Sequence, residues 1–406
     1  MGIPRGIRKD SMFMANIPFS EVVVGDLLKV SGAPEYLDEV PFIDLTRQYK
    51  QNKYEIKMAI NRVLESGIYT MGPETEAFEQ EFAAFYQVPN CIAVSSGVDA
   101  VELALRALGI SEGDGVITVA NAGMHSTSAI RNIGAIPQFV DVDPLTLTMS
   151  AEELAREITP TTRAVVVTHL YGRVAKIEAI YQIAKRYDLP LVEDCFQATG
   201  ARYAGKLAGT WGDIGCFSFS PTRNLGALGE AGAILTKNEQ VARTARDLRK
   251  DGFNLELNPN EFHSKSSLMN EIQAAVLRAK LPMLEEWNLK RRMIAQTYNI
   301  HLDSSNSKIQ FEQQLDGSVF QLFVIRIPKR DYVKSFLESK KIGCAIHYAI
   351  PDHLWTAGLN SHYSRVHLPE TEKASAEVLS LPCYPELTSR EIEQVCSIVN
   401  ESLDYL

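Results

Sequence analysis

Two neighbouring segments decide how this chain folds: Leu191-Val-Glu-Asp-Cys-Phe-Gln-Ala-Thr-Gly-Ala201 and Cys216-Phe-Ser-Phe-Ser-Pro-Thr-Arg-Asn-Leu-Gly-Ala-Leu-Gly-Glu-Ala-Gly-Ala-Ile-Leu-Thr236. The first contains a mostly apolar strand that ends at Asp194. The second contains a Ser-Pro-Thr-Arg-Asn turn, and a further strand follows it. In open α/β sheets, ligands bind beyond the carboxyl ends of the strands. Asp194 and the residues after it are therefore predicted to lie in a binding site.

Apolar runs of strand length alternate with helical patterns on both sides of these segments, which predicts a mostly parallel sheet with helices on both faces. The predicted strands are Cys91–Ser95, Gly115–Val119, Pro137–Asp141, Thr162–Thr168 and Pro190–Asp194. The predicted helices between them are Val98–Leu108, Ser126–Ile133, Ser150–Glu157 and Lys176–Tyr187. A long helical stretch, Asn270–Tyr298, then precedes a short mixed α/β region. We predict an N-terminal extension (1–40), a large domain (41–285) and a small C-terminal domain (286–406).

The composition of the chain limits the kinds of molecule that it can be expected to bind. The 406 residues are 45% hydrophobic and carry a net charge of −9, so the chain can bury a large core. Because it has no long basic run, we expect neither nucleic acid nor an anionic membrane as a partner. No apolar run approaches the roughly 18 residues of a membrane span. A small-molecule substrate fits these numbers best.

The six cysteines show no Cys-x-x-Cys pair and no matching histidine spacing, so we expect neither a zinc site nor a disulfide framework. The basic N-terminus is not followed by an apolar stretch of signal-peptide length. Both observations favour the reducing cytoplasm.

Short motifs occur in a recognisable order along the chain: Pro41-Phe-Ile-Asp-Leu, His169-Leu-Tyr-Gly, Glu193-Asp, Gly229-Glu, Glu271-Ile-Gln-Ala-Ala, Ile346-His-Tyr and Leu379-Ser-Leu-Pro382. Together with the two opening segments, they resemble the DegT/StrS family of sugar aminotransferases. The resemblance implies a fold-type-I aminotransferase fold and a homodimer. It also implies pyridoxal 5'-phosphate (PLP), or its amine form PMP, at a site between the two domains.

The resemblance also assigns roles to residues of this sequence. Asp194 corresponds to the partner of the protonated pyridine nitrogen, which keeps the ring an electron sink. Gln197 corresponds to a contact of the cofactor ring. Phosphate contacts are expected at Ser96, Gly97 and Val98, where a strand meets the positive end of a helix, and at Ser218. Asn224 follows the family's lysine position, and His169 corresponds to a histidine near the cofactor. Each of these residues could instead have a purely structural role.

Arg223 stands where the family has the lysine that holds PLP as a Schiff base and transfers protons. A guanidinium group stays protonated, so Arg223 is neither an amine nucleophile nor a general base. Other family contacts change as well. Val98 replaces a threonine, Gly123 replaces an aromatic residue that stacks on the ring, and Ser266 and Leu268 replace an asparagine and an arginine from the neighbouring subunit. Lys265 is a further candidate for reaching a phosphate.

These departures leave several functions open. In the first, PLP or PMP binds non-covalently and His125 or His169 transfers protons. In the second, no cofactor binds, and Arg223 clamps an anionic substrate directly. In the third, the chain is a non-catalytic subunit, paired with itself or with an active paralogue. A conventional aminotransferase would require another lysine at the turn, and Lys206 and Lys237 both lie outside it. The resemblance implies a nucleotide-linked keto-sugar or a cyclitol-like substrate.

Overall fold

A computed structural model describes residues 39–250, 266–302, 309–311, 316–357 and 366–406. The predicted extension, apart from its last two residues, and Lys265 lie outside the described residues. The helices are α1 (Leu45–Gln51), α2 (Lys53–Ser66), α3 (Pro73–Tyr86), α4 (Gly97–Ala107), α5 (His125–Asn132), α6 (Ala151–Glu157), α7 (Ile177–Arg186), α8 (Glu239–Arg249), α9 (Glu271–Lys280), α10 (Leu284–His301), α11 (Arg330–Ser339), α12 (Asp352–Ala357), α13 (Pro369–Glu377) and α14 (Ser389–Leu403).

The strands form a large sheet, a small sheet and a short hairpin. The large sheet contains β1 (Asn90–Val94), β2 (Gly115–Val119), β3 (Ile136–Val140), β4 (Thr162–Thr168), β5 (Leu191–Asp194), β8 (Ile214–Ser218) and β9 (Gly232–Thr236). The hairpin is β6 (Arg202–Tyr203) and β7 (Lys206–Leu207), and the small sheet is β10 (Gln310–Phe311), β11 (Phe323–Arg326) and β12 (Val378–Leu381).

The large sheet has seven strands in the order β1-β9-β8-β5-β4-β2-β3. Strands β3, β2, β4, β5 and β8 are parallel to one another. Strand β9 is antiparallel to both β8 and β1, so β1 points the same way as the other five. The carboxyl ends of six strands therefore lie at one edge of the sheet, which is where a ligand site is expected.

Both faces of the sheet are buried at its central strands, because alternate residues of these strands pack into different clusters. In β4, Val165 and Val167 join one hydrophobic cluster with residues of α3, α7 and α9. Val166 joins another, with residues of α4, α5 and α8. Burial on both faces explains why the strands are continuously apolar rather than alternating. The predicted mostly parallel α/β fold is confirmed.

The small antiparallel sheet packs with α10, α11 and α14 around a separate buried cluster. The stretch Asn270–Tyr298, predicted as one long helical region, is divided by a 3₁₀ turn at Leu281–Met283. Pro282 has no backbone N–H to donate, so it fits this turn better than the middle of a helix. The domain boundary near residue 285 stays a prediction.

None of the described helices combines the length and the apolar character that a membrane span requires.

Candidate active site

The loops that follow β1, β2, β4, β5 and β8 meet at the carboxyl edge of the large sheet. They carry the predicted site residues, and the loop after β8 carries Arg223. The parallel topology therefore gathers residues that lie more than a hundred positions apart in the sequence.

Asp194 ends β5 and is 2% exposed. Its Oδ2 atom accepts hydrogen bonds from the hydroxyl of Ser126 at 2.8 Å and from that of Thr168 at 3.3 Å. Its Oδ1 atom accepts one from the backbone N–H of Phe196 at 3.1 Å. The protein itself therefore donates three hydrogen bonds to this carboxylate, which compensates its burial.

The amino end of α4 is tightly packed. The hydroxyl of Ser96 accepts a hydrogen bond from the backbone N–H of Asp99 at 3.1 Å and so caps the helix. A Cβ atom on Gly97 would lie 2.7 Å from Cβ of Ser218 and 2.9 Å from Cζ of Phe196. The glycine thus lets the loops after β5 and β8 approach the helix. Val98 packs against the hydrophobic cluster on the α4 side of the sheet.

Arg223 lies in the turn after β8, where its backbone N–H donates to the carbonyl of Ser220 at 2.9 Å. Its side chain is half-buried, and its Nε atom is buried without a hydrogen-bond partner among the described residues. It lines a cavity of about 270 Å³ together with Gln197, His347 and Tyr348. The cavity lining thus includes a cationic side chain.

Gln197 connects two parts of the chain at this cavity. Its Oε1 atom accepts from the backbone N–H of Tyr171 at 2.6 Å, and its Nε2 atom donates to the hydroxyl of Tyr348 at 3.1 Å. The hydroxyl of Tyr171 in turn donates to the carbonyl of His347. The segment containing His347 and Tyr348 is thereby held against the loops of the large sheet.

Two histidines lie near the charge of Arg223. Burial is the larger cause, and the charge of Arg223 the next, of a lowered pKa at His125 and of a pKa of about 4 at His347. His347 lines the cavity, whereas His125 stands beside Phe196, with ring centroids 5.9 Å apart. His347 is therefore a neutral imidazole at pH 7 in contact with the cavity.

His169 is fully buried, and both of its ring nitrogens are engaged. Nδ1 accepts from the backbone N–H of Ala175 at 3.2 Å, so Nε2 is the nitrogen that donates to Glu193 Oε2 at 2.9 Å. Its predicted catalytic role stays a prediction, but this geometry favours a structural one.

Glu193 is the centre of a buried network. Its carboxylate also accepts from the backbone N–H groups of Gly209 at 2.8 Å and of Trp211 and Gly212 at 2.7 Å each. Potential metal-ligand atoms of His169, Glu193 and Cys195 lie within 4.8 Å of one another. Burial raises the pKa of the Cys195 thiol well above its usual range. A neutral thiol and a carboxylate committed to N–H donors favour a hydrogen-bonded core over a metal site.

Asn224 faces away from the cavity lining. Its Nδ2 atom donates to Oδ1 of Asn288 at 2.7 Å and to the carbonyl of Val319 at 2.9 Å. Asn288 lies in α10, so this contact ties the turn after β8 to that helix. The hydroxyl of Ser218 is 3.5 Å from the backbone nitrogen of Ser220, a distance at the limit of a hydrogen bond.

The segment expected to differ from the family is only partly described. Ser266 is exposed, and Leu268 is half-buried. Ser267, between them, is fully buried, and its hydroxyl donates to Asp99 at 2.8 Å and accepts from the backbone N–H of Ser95 at 3.2 Å. In this part of the chain, it is therefore Ser267 that contacts the amino end of α4.

Comparison with known proteins decides the family. The DegT/DnrJ/EryC1/StrS aminotransferase family matches residues 50–400. This chain belongs to that family. It is 37% identical over 368 residues to the pleiotropic regulatory protein of Geobacillus stearothermophilus, a match that covers 89% of this chain and 98% of the relative.

One further relative connects the family to amino-sugar chemistry, and one solved structure connects the fold to the cofactor PMP. The chain is 37% identical over 363 residues to dTDP-3-amino-3,4,6-trideoxy-alpha-D-glucose transaminase of Streptomyces venezuelae, covering 89% of this chain and 96% of that protein. The crystal structure of NtdA from Bacillus subtilis with the cofactor PMP bound has a TM-score of 0.84 and 30% identity, and the match covers 93% of this chain and 90% of that chain. The fold-type-I aminotransferase fold is therefore confirmed.

The family match and the PMP-bound structure support PLP or PMP as the cofactor of this fold, and Phe196 is the residue of this chain that does not suit a pyridoxal ring. The ring of Phe196 lies against Gly97, between Asp194 and the predicted phosphate site. The amide of Gln197 donates to Tyr348, which itself lies against Gly123. The side chain of Phe196 thus lies between two predicted cofactor contacts, Asp194 and Gly97.

Sequence reasoning missed Phe196, His347 and Tyr348 as residues that shape the site. Phe196 follows Asp194 closely in the sequence, and its bulk at that position is a signal that could have been used. The other two lie more than a hundred residues from Arg223, and only the packing of the C-terminal region against the large sheet brings them to it.

Proposed function

We propose that this family member acts in sugar or secondary-metabolite biosynthesis without carrying out ordinary transamination. It binds an anionic sugar derivative, either a nucleotide-linked keto-sugar or a cyclitol-like compound. The observation that carries the proposal is Arg223, a permanent cation in the lining of a cavity at the carboxyl edge of the sheet.

Arg223 suits an anion better than it suits any role of a lysine. Its planar fork of N–H donors matches a phosphate or carboxylate, and charge-assisted bonds of this kind are about twice as strong as neutral ones. Because Arg223 lines the cavity and is only half-buried, its charge lies beside any ligand that enters. A phosphate or carboxylate group in the cavity would therefore pair with a permanent cation.

The rest of the lining suits a sugar. Gln197, His347 and Tyr348 present polar groups, while Phe42 and Leu322 supply apolar surface. Such a mixture of apolar wall and few convergent polar groups is typical of small-molecule sites. His347 lines this cavity, whereas His125 and His169 are not in its lining, so we favour His347 as the group that accepts a proton from the ligand.

Calorimetric titration tests the proposal. The ligands are UDP- and dTDP-linked sugars and a cyclitol phosphate, each compared with its unphosphorylated counterpart. Wild type should bind only the phosphorylated ligands, and Arg223→Gln should weaken binding by at least about tenfold, since one charged hydrogen-bonding group is lost. Arg106→Lys, at the far end of α4, is the control and should bind like wild type.

The variant Arg223→Lys distinguishes an anion-binding protein from an aminotransferase that has only lost its lysine. The lysine keeps the charge but loses the bidentate geometry, so binding should be intermediate and no amino transfer from glutamate should appear. Turnover of a keto-sugar to an amino-sugar by Arg223→Lys, or unchanged ligand binding by Arg223→Gln, would refute the proposal.

A non-catalytic subunit is the second candidate. It is favoured by the pleiotropic regulatory protein of G. stearothermophilus, which matches almost the whole chain and whose name describes regulation rather than catalysis. Isolation of the tagged protein from its own cells, followed by mass spectrometry, distinguishes the two. Stoichiometric recovery of a second aminotransferase-like chain would support the subunit function.

We also propose a homodimer. Helix α2 and the loop after it expose Tyr54, Met58, Leu64, Ile68 and Tyr69, each between 46% and 73% accessible. Exposed apolar side chains concentrated in one part of a chain are typical of an interface. Light scattering after gel filtration should give twice the 45.1 kDa chain mass. We further propose a cytoplasmic location, which the six free cysteines support.

A further inference from the structure

We infer that the side chain of Phe196 fills the space that a pyridoxal ring would need, and that Phe196, rather than Arg223 alone, excludes the cofactor from this chain. This inference does not depend on the identity of the sugar ligand. Its consequence is specific: replacing Arg223 by lysine is not enough to restore cofactor binding, whereas opening position 196 is.

The Phe196 residue reaches from Asp194 to Gly97. Its backbone N–H donates to Oδ1 of Asp194 at 3.1 Å. The tip of its ring, Cζ and Cε1, lies 2.9 and 3.1 Å from where a Cβ of Gly97 would be. Asp194 is the predicted partner of the pyridine nitrogen, and Gly97 begins the helix predicted to hold the phosphate. Phe196, from its backbone to the tip of its ring, therefore lies between the two predicted ends of the cofactor.

The surroundings of this ring are closed. Phe196 is only 3% exposed, and its ring packs against that of His125 at a centroid separation of 5.9 Å. The ring of His125 in turn meets that of Tyr348 at 6.5 Å. The cavity lined by Arg223 does not include Asp194, Gly97 or Ser218 in its wall. The sugar cavity and the space filled by Phe196 are thus neighbouring but distinct.

A phenyl ring and a pyridine ring have nearly the same size. An apolar cavity of about 150 Å³ left by truncating a buried side chain accepts a benzene ring. Truncating Phe196 to alanine should therefore leave room for one six-membered aromatic ring. The new cavity would extend from Asp194 to the positive end of α4, so it would also suit a ring that carries a phosphate.

The test uses PMP as the probe, because its amine cannot react with surface lysines as an aldehyde would. Binding is followed by absorbance and by equilibrium dialysis on the full chain. Wild type and Arg223→Lys should show no saturable binding, and Phe196→Ala should bind PMP at least about tenfold more tightly than either. PMP should also raise the melting temperature of Phe196→Ala and leave that of wild type unchanged.

Phe139→Ala is the matched control, because Phe139 is buried to a similar degree (6% exposed) in a different hydrophobic cluster. Its melting temperature should fall without rescue by PMP. If Phe196→Ala does not fold, Phe196→Leu makes a smaller space and should show a weaker rescue.

Saturable PMP binding by wild type or by Arg223→Lys would overturn the inference, as would variants of Phe196 that fold but do not bind. Neither result affects the sugar proposal, because that proposal is tested by titrating nucleotide-linked sugars into protein that retains Phe196.

Discussion

The phenol ring of Tyr348 lies directly on the backbone of Gly123: a Cβ atom added to this glycine would be 2.5 Å from Cζ of the tyrosine. Gly123 belongs to the loop after β2, whereas Tyr348 belongs to the C-terminal part of the chain. The family resemblance implies an aromatic residue at position 123, where this chain has glycine. The structure places an aromatic ring from another region against the same point, so the glycine and the tyrosine form a complementary pair.

Gly123→Ala should destabilise the protein by about 2–5 kcal/mol for two reasons. A left-handed backbone conformation, with φ at +74°, costs a non-glycine residue about 1–2 kcal/mol. The added methyl group must also displace the ring of Tyr348, and overpacking typically costs 1–3 kcal/mol. Urea unfolding measures the change in the free energy of unfolding.

Gly109 provides the control for this experiment. Its φ is +81°, but nothing lies within 4 Å of the Cβ position, so Gly109→Ala should show only the backbone cost. In a Tyr348→Ala background, Gly123→Ala should also fall to that cost. If Gly109→Ala and Gly123→Ala reduce the free energy of unfolding equally, the ring of Tyr348 moves aside without an energetic cost.

Asp352 makes the folded protein less stable as pH rises, which is the opposite of the usual effect of a carboxyl group. Its carboxyl group is 1% exposed and accepts from the hydroxyl of Thr127 at 2.6 Å and the backbone N–H of Met124 at 3.0 Å. Burial outweighs these donors and raises its pKa to about 7. Between pH 4 and 7 the folded chain keeps this proton, whereas the unfolded chain, with a pKa of about 3.9, releases it. The contribution of Asp352 to stability therefore falls as pH rises through this window.

Asp352→Asn should remove that slope, because the amide resembles the protonated acid and does not titrate. The slope from one such group is at most about 1.4 kcal/mol per pH unit, and it vanishes above the folded pKa, where both states are ionised. Urea midpoints of wild type and variant at pH 5, 6, 7 and 8 check this. As pH rises to 7, the urea midpoint of Asp352→Asn should increase relative to that of wild type. If the two midpoints change in parallel with pH, Asp352 does not have the raised pKa.

The sequence predicted the large sheet well because apolar continuity is a local signal. Strands Gly115–Val119 and Thr162–Thr168 have the bounds that the pattern indicated. The topology then brought the loops after the strands to one edge, as the rule for open α/β sheets requires. What local pattern could not supply was the distance between residues from different loops.

Position 196 illustrates the limit. Its spacing from Asp194 was visible, but whether a phenyl ring points into a site or away from it depends on Gly97, about a hundred residues earlier. Likewise, nothing local indicated that Tyr348 would accept a hydrogen bond from Gln197. The filling of a cavity is a property of side chains that meet only after folding.

Glu193→Gln should destabilise the fold severely while the histidine beside it stays buried. The carboxylate accepts from three backbone N–H groups and from His169, and at 0% exposure none of these donors has water as an alternative. The amide replaces one acceptor oxygen by a donor that faces N–H groups, so we expect a loss of about 3–5 kcal/mol. Thermal and urea unfolding measure it.

The substitution His169→Gln distinguishes a structural role of His169 in this network from a catalytic one. A structural His169 predicts reduced stability with unchanged affinity for the sugar ligand in the folded protein. A catalytic His169 predicts the reverse, with normal unfolding and an altered pH profile of turnover.

Glu271, at the start of α9, accepts hydrogen bonds from the backbone at the start of α3, which is distant in the sequence. Its Oε1 atom accepts from the backbone N–H groups of Gly72 and Thr75 at 3.0 Å each, and its Oε2 atom from that of Glu74 at 2.8 Å. The side chain is 1% exposed. A carboxylate at this point satisfies orphan donors of the first turn and complements the positive end of the helix.

Glu271→Gln keeps the shape but loses the charge and one acceptor, so the free energy of unfolding should fall by about 2–3 kcal/mol. Hydrogen exchange should localise the change, with faster exchange at the amides of residues 72, 74 and 75 and normal protection in the large sheet. Glu76→Gln, in the same turn but exposed, is the control and should change stability by less than about 0.5 kcal/mol. Equal effects of the two substitutions would show that the helix start is held by packing rather than by the Glu271 carboxylate.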